Sequence, residues 1–187
     1  MMPTFRTSHP VSAADPSRPH IILVGLPGSG KTAVGQAVAE RLGRGFIDLD
    51  LEIERREGRT VAELFAEKGE PYFRAKEREL TQELAMVGNM IVSPGGGWIS
   101  NGDVVSIVRP PSRLVYLKVR PKAALKRLGP GQASRPLLLR PDPLGELNRL
   151  LAARSAAYEA ADDEVDTELF ALQKVIERVS ELASVVR

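Results

Sequence analysis

Apolar residues recur along the chain in two rhythms, and the alternation between them predicts the architecture. Ile21 to Val24 is a short, mostly β-branched apolar run stopped by Gly25, the pattern of a buried strand. Lys31 to Leu42 places Val34, Val38 and Leu42 at helical spacing and closes at Gly43. Gly45 to Asp48 reads as a second strand. From Asp50 to Leu84 the chain is strongly helix-forming, and Gly58 and Gly69-Glu70-Pro71 divide it into three predicted helices. Met90 to Ser93 is a third predicted strand, ending in Pro94-Gly95-Gly96-Gly97, and Arg113 to Val119 is a fourth. Residues 128–145 are rich in Pro and Gly, with Arg135 and Arg140 each followed by Pro, and predict a loop long enough to be functional or disordered. Glu146 to Ala160 is expected to be helical, Glu164 to Asp166 a short edge strand, and Leu169 to Val186 a closing amphipathic helix. Strands alternating with helices, most of them apolar throughout, predict an α/β fold of three layers around a parallel sheet. Ligands of such sheets bind beyond the carboxyl ends of the strands.

Composition narrows the classes. The 187 residues, 43% hydrophobic and 27% charged, suit one globular domain rather than a disordered chain. Residues 20–187 are expected to form that domain. Residues 1–19, with four Pro and no apolar segment of a secretory signal, are expected to be a mobile extension. The chain has no Cys, which excludes disulfides, thiolate nucleophiles and Cys-based metal sites and fits a cytoplasmic home. Apolar runs fall well short of the roughly 18 residues a membrane span needs. The 26 basic and 24 acidic residues are interspersed, so neither nucleic acid nor a membrane surface is an expected partner.

Gly25-Leu26-Pro27-Gly28-Ser29-Gly30-Lys31-Thr32 fits G-x-x-x-x-G-K-[ST] between a predicted strand and a predicted helix, the context in which that motif binds nucleotide phosphates. Its glycines let the backbone wrap closely around phosphate, and loop and helix N–H groups point at the anion. Lys31 reaches the β and γ phosphates, and the Thr32 hydroxyl ligates Mg2+. The motif specifies a nucleotide and is silent on the acceptor.

Asp48 and Asp50, alternating at the end of the second strand, are expected to face the ligand edge together. Phosphoryl transfer needs one acidic group near the metal and another near the acceptor hydroxyl. Asp50 also fits as an N-cap of a helix over Leu51 to Glu57, and both roles are compatible. Arg74 and Glu77 share a helix face, either as a solvated pair or as a carboxylate-binding Arg held in place by Glu77. Gly95-Gly96-Gly97 is either a flexible turn or a backbone platform that a polar ligand approaches closely. Arg135-Pro136-Leu137-Leu138 is expected in a lid that brings an Arg over the phosphates. Arg154 and Tyr158 lie one turn apart, which lets Arg154 face the pocket, and Arg127 is placed to stack on a base. His9 and His20 read as a tail residue and a strand flank, and Trp98 as packing.

Taken in order, Gly-Leu-Pro-Gly-Ser-Gly-Lys-Thr, Asp48-Leu-Asp50, Phe73-Arg74-x-x-Glu77, Gly95-Gly96-Gly97, Arg135-Pro-Leu-Leu and Arg154-x-x-x-Tyr158 resemble the bacterial shikimate kinases over residues 20–187. The resemblance implies a P-loop fold like that of nucleoside-monophosphate kinases, with a five-stranded parallel sheet and a mobile lid over about residues 128–145. It also implies a monomer that transfers the ATP γ-phosphoryl group to the 3-hydroxyl of shikimate, giving shikimate 3-phosphate and ADP in aromatic amino acid (chorismate) biosynthesis. Carried over by position, Gly28, Ser29, Gly30, Lys31, Thr32 and Ala33 hold the phosphates. Thr32 ligates Mg2+ and Asp48 holds it through water. Asp50 binds the shikimate hydroxyls and acts as base, while Lys31 and Arg135 stabilise the transferring phosphoryl group. Arg74, Arg154 and the Gly95, Gly96 and Gly97 backbone bind the acceptor at its carboxylate, and Arg127 stacks on adenine. The sequence departs from the family in two places. Glu168-Leu169-Phe170 stands where a second basic residue near adenine is common, and Trp98 follows the glycines in place of a small residue, either narrowing the substrate pocket or packing outward. Two rivals share the P-loop: a kinase for another small molecule such as gluconate, and a catalytically silent ligand-sensing module.

Overall fold

The computed structural model describes residues 18–129 and 141–185. Five strands, β1 (Ile21–Val24), β2 (Gly45–Asp48), β3 (Met90–Ser93), β4 (Arg113–Lys118) and β5 (Asp163–Asp166), form one sheet in the order β2-β3-β1-β4-β5. All four pairings are parallel. The register sets Ile22 beside Val92 and Leu114, and Asp48 beside Ser93, so the β2 and β3 ends that face the site are level. The expected α/β sheet is present, with helices on both faces.

Alternation along the strands divides the core in two. Ile22, Val24, Val92, Leu114 and Tyr116 face one layer with Phe73, Leu80, Trp98, Leu147 and Tyr158. Ile21, Leu23, Ile91, Val115 and Leu117 face the other with Val34, Val38, Val175 and Val179. Full burial of each branched side chain contributes roughly 1.5–3 kcal/mol, so continuous apolar strands are what a doubly covered sheet requires.

The helices follow local signals. α1 (Lys31–Leu42) ends on Gly43 in the left-handed conformation. α2 (Leu49–Glu57) starts earlier than expected, and its N-cap is Asp48, whose side chain accepts from the Leu51 N–H. Asp50 therefore lies in the first turn of α2 and is not its cap, which corrects that part of the sequence reading. α3 (Val61–Leu84) opens on a Thr60/Glu63 capping box and breaks at Gly69 (φ 79°, ψ 168°), the third-helix boundary expected there. A 3₁₀ turn (Trp98–Ser100) and α4 (Gly102–Val108) precede β4, and α5 (Pro121–Leu128) follows it. α6 (Pro143–Glu159) begins three residues before the expected Glu146, because Asp142 caps it and Pro143 suits the first helical position. Leu128 and residues 143–145, placed in the loop by sequence, are thus helical. α7 (Leu172–Val185) closes the fold.

At the amino end, the Arg18 carbonyl already accepts from the Asn89 N–H, so the folded body starts ahead of His20. His20 is 4% exposed, and its ring bonds to the Leu84 carbonyl and the Met90 N–H. Burial lowers its pKa. Among the described residues no helix is long and apolar enough to cross a membrane.

Candidate active site

β1 feeds the Gly25–Thr32 loop into α1, and β2 and β3 end beside it. Together they enclose a cleft of about 230 Å³ lined by Gly28, Gly30, Lys31, Thr32, Ala33, Asp48, Asp50, Ser93 and Pro94. Gly28 holds φ 82°, and a Cβ there would strike the Ala124 carbonyl at 2.5 Å, so only glycine keeps the loop against α5. Lys31 is 8% exposed and donates to the Gly25 and Leu26 carbonyls at 2.9 and 3.0 Å, which holds its ammonium over the loop. The Ser29 N–H closes the turn on the Leu26 carbonyl, and the Ser29 side chain is buried under Gly25. The Thr32 hydroxyl donates to Asp48 Oδ2 at 2.8 Å. One hydroxyl and one carboxylate at a phosphate loop are the oxygen donors Mg2+ takes when phosphates and waters complete its shell. The two residues fit that ion.

The second half of the site forms around the glycine turn after β3, and every glycine in it makes room for a charged side chain. A Cβ on Gly95 would collide with Asp50 Oδ1 and come within 3.0 Å of Glu77 Oε1. On Gly96 it would lie 3.0 Å from an Arg154 guanidinium nitrogen, and on Gly97 it would collide with the Arg74 guanidinium. The turn is therefore a built platform; a side chain at any of the three positions displaces a charge.

Arg74 projects from α3 and is held from two sides. It donates to Glu77 Oε2 at 2.5 Å and to Glu70 Oε1 at 2.7 and 3.1 Å. The solvated-pair alternative fails, since Glu77 is 2% exposed. Arg154, 8% exposed, arrives from α6, which is anchored where Tyr158 stacks on Tyr116 with ring centroids 4.9 Å apart. Burial pushes the Glu77 carboxyl up to about 7; Arg74 draws it down, and the Asp50 and Glu70 charges push it up.

That displacement gives a pH signature. An acid whose folded pKa exceeds its unfolded value, about 4.3 for Glu, favours folding fully below the unfolded value. The contribution is lost as pH rises through the folded value, about 7 for Glu77. Glu77→Gln removes the titration, so the variant should gain about 2–3 kcal/mol relative to the parent between roughly pH 5 and pH 8. Urea unfolding at both pH values reads this difference; a gap that does not change with pH means Glu77 titrates as in the unfolded chain.

Other expected residues fall in different places. Arg127, at the end of α5, donates to Thr167 Oγ1 and to the Thr167 carbonyl at 2.8 and 2.7 Å, which fixes it against the connection that follows β5. Glu168 accepts from the Arg120 N–H and guanidinium, and Leu169 beside it is 77% exposed. Trp98 is 1% exposed and packs inward in the core, as the packing reading expects and contrary to outward packing. Arg135 lies outside the described residues. Sequence reasoning missed Ser93 and Pro94 on the cleft wall and Thr167 behind Arg127; their positions depend on strand register and on contacts distant in sequence.

A family model for shikimate kinase matches residues 27–183. The chain belongs to the shikimate kinase family. It is 42% identical to the shikimate kinase of Symbiobacterium thermophilum, an alignment covering 87% of this chain and 94% of that protein. Against the shikimate kinase of Thermobifida fusca it is 46% identical over 77% of this chain and 82% of the relative. Its fold superposes on shikimate kinase from Acinetobacter baumannii, solved in complex with shikimate, with a TM-score of 0.83 at 34% identity, covering 90% and 94% of the two chains. Family membership at this level sets aside both rivals that share the P-loop, the gluconate-type kinase and the silent sensing module.

Proposed function

We propose that the shikimate kinase reaction of this chain, transfer of the ATP γ-phosphoryl group to the 3-hydroxyl of shikimate, runs through Asp50, Lys31 and Arg135. Arg74, Arg154 and Gly95–Gly97 hold the acceptor. The observation that carries this assignment is the convergence of Asp50, Arg154 and Arg74 on three consecutive glycines beside the P-loop cleft. A carboxylate and two guanidiniums around one backbone turn suit an acceptor with hydroxyls at one end and a carboxylate at the other.

Each residue has one task. Asp50 accepts the proton of the attacking hydroxyl as the new O–P bond forms and the bond from Pγ to the ADP oxygen breaks. Gly28 to Ala33 cradle the phosphates with backbone N–H groups, and Lys31 balances charge on the group in transit. Arg135 is assigned to the same charge on the family motif alone. Arg74 and Arg154 fix the acceptor carboxylate, which places the hydroxyl and lowers the entropy cost of reaction. Thr32 and Asp48 would hold Mg2+, and bound Mg2+ supplies further charge neutralisation at the phosphate oxygens. Arg127, fixed by Thr167, covers the adenine ring. The products, shikimate 3-phosphate and ADP, place the enzyme in aromatic amino acid biosynthesis. The working unit is a cytoplasmic monomer, a single kinase domain that already includes Arg18 and Pro19, with no nucleic-acid or membrane partner.

The test is coupled ADP release with Mg-ATP in the presence of shikimate, quinate or gluconate. Turnover with shikimate that exceeds the other two acceptors by at least about tenfold in kcat/KM is expected from a site built for both ends of the acceptor. Equal turnover of gluconate contradicts the assigned pocket.

A further inference from the structure

Trp98 lies outside the reactive groups, yet it closes a ring of contacts around Arg74. Its indole N–H donates to Thr81 Oγ1 at 3.0 Å, and the Thr81 hydroxyl donates to the Glu77 carbonyl at 2.7 Å. Glu77 in turn holds Arg74, and Arg74 occupies the space that a Cβ on Gly97, the residue before Trp98, would fill. The Trp98 N–H also closes the glycine turn on the Gly95 carbonyl at 3.1 Å. Trp98, Thr81 and Glu77 are each at most 2% exposed, so the bonds that join these three are dry and are not exchanged for water. The 3₁₀ turn opened by Trp98 also packs on α6, the helix of Arg154.

We infer that Trp98 is a positioning residue for the acceptor: its indole N–H, through Thr81, sets the distance between the glycine turn and α3 and so the placement of Arg74. This rests on the assignment of Arg74 to the acceptor carboxylate. Burial of Trp98 needs only an apolar ring of suitable size, and Phe supplies one. The hydrogen bond needs the N–H. A net buried hydrogen bond is worth about fivefold in an equilibrium, and a shift of a guanidinium against a carboxylate transmits that to binding of the acceptor rather than of the nucleotide.

The experiment compares Trp98→Phe, Thr81→Val, their double variant, Thr81→Ser and Arg74→Ala, with KM measured separately for shikimate and ATP. Trp98→Phe and Thr81→Val should each raise the KM for shikimate about three- to tenfold and leave kcat and the KM for ATP within about twofold. Because both remove the same bond, the double variant should be no worse than the poorer single one. Thr81→Ser keeps the hydroxyl and should bind shikimate like the parent. A purely structural tryptophan lowers the melting temperature without splitting the two KM values, or gives additive effects in the double variant, and either result overturns the inference. If Trp98→Phe folds poorly, Thr81→Val carries the same prediction from the other partner. An unchanged KM for shikimate in Arg74→Ala overturns the clamp and the role of Trp98 with it. A raised KM in Arg74→Ala with none in Trp98→Phe and Thr81→Val overturns the Trp98 inference alone.

Discussion

Asp50→Asn should lower kcat by about 10² or more while ATP binding stays within about twofold of the parent. The side chain keeps its shape and its place in the first turn of α2, where its oxygen packs against Gly95 at the edge of the P-loop cleft. What disappears is the ability to take a proton. An amide still accepts a hydrogen bond from the shikimate hydroxyl, so acceptor affinity should change less than turnover. The proposed phosphate contacts lie on Gly28–Ala33, and Asp48, proposed for Mg2+, keeps its cap on α2 and its bond to Thr32 without Asp50. Steady-state kinetics with both substrates varied, together with a direct ATP binding measurement, separates the effects. Unchanged kcat removes Asp50 from the role of base.

Arg74→Ala should raise the KM for shikimate by about 10- to 100-fold and leave the KM for ATP nearly unchanged. Arg74 is fixed by Glu77 and Glu70 before substrate arrives, so little ordering remains to oppose binding. Removing it deprives the buried Glu77 carboxyl of the cation that draws its pKa down. Glu77 then takes up a proton near neutrality and stays neutral, which limits the loss of stability. Arg74→Lys keeps one positive charge without the planar fork and should fall between parent and alanine variant. A selective loss of ATP affinity in either variant places Arg74 on the nucleotide side instead.

The parts of the molecule that local chemistry dictates were readable in the sequence. β1 and β3 are apolar at every position but one because both faces of the sheet are covered. α1 announces itself through Val34, Val38 and the left-handed Gly43, and the break in α3 through Gly69. Short elements were not readable: α4 is Gly-Asp-Val-Val-Ser-Ile-Val, whose β-branched residues argue against helix until tertiary packing buries Val104 and Val108. The cap of α2 went to Asp48 rather than Asp50, since the helix starts at Leu49 directly where β2 ends, two residues before the expected Leu51. Motif spacing named Arg74, Arg154 and the three glycines but not their pairing. Which guanidinium meets which glycine is set by how α3 and α6 pack on the turn, as is the burial that displaces Glu77. The inward packing of Trp98 onto Thr81 joins residues 17 apart across two elements and left no local trace.

In the proposed site Arg74 and Arg154 recognise the acceptor by its carboxylate while Asp50 works at its hydroxyl. Comparing kcat/KM for shikimate and for its methyl ester in the parent and in Arg74→Ala separates these roles. The ester keeps every hydroxyl, loses the negative charge and adds only a methyl group. The parent should prefer the acid by about 10²-fold or more, and Arg74→Ala should lose most of that preference. A parent that uses acid and ester equally well, or an Arg74→Ala variant that keeps the full preference, contradicts the assignment.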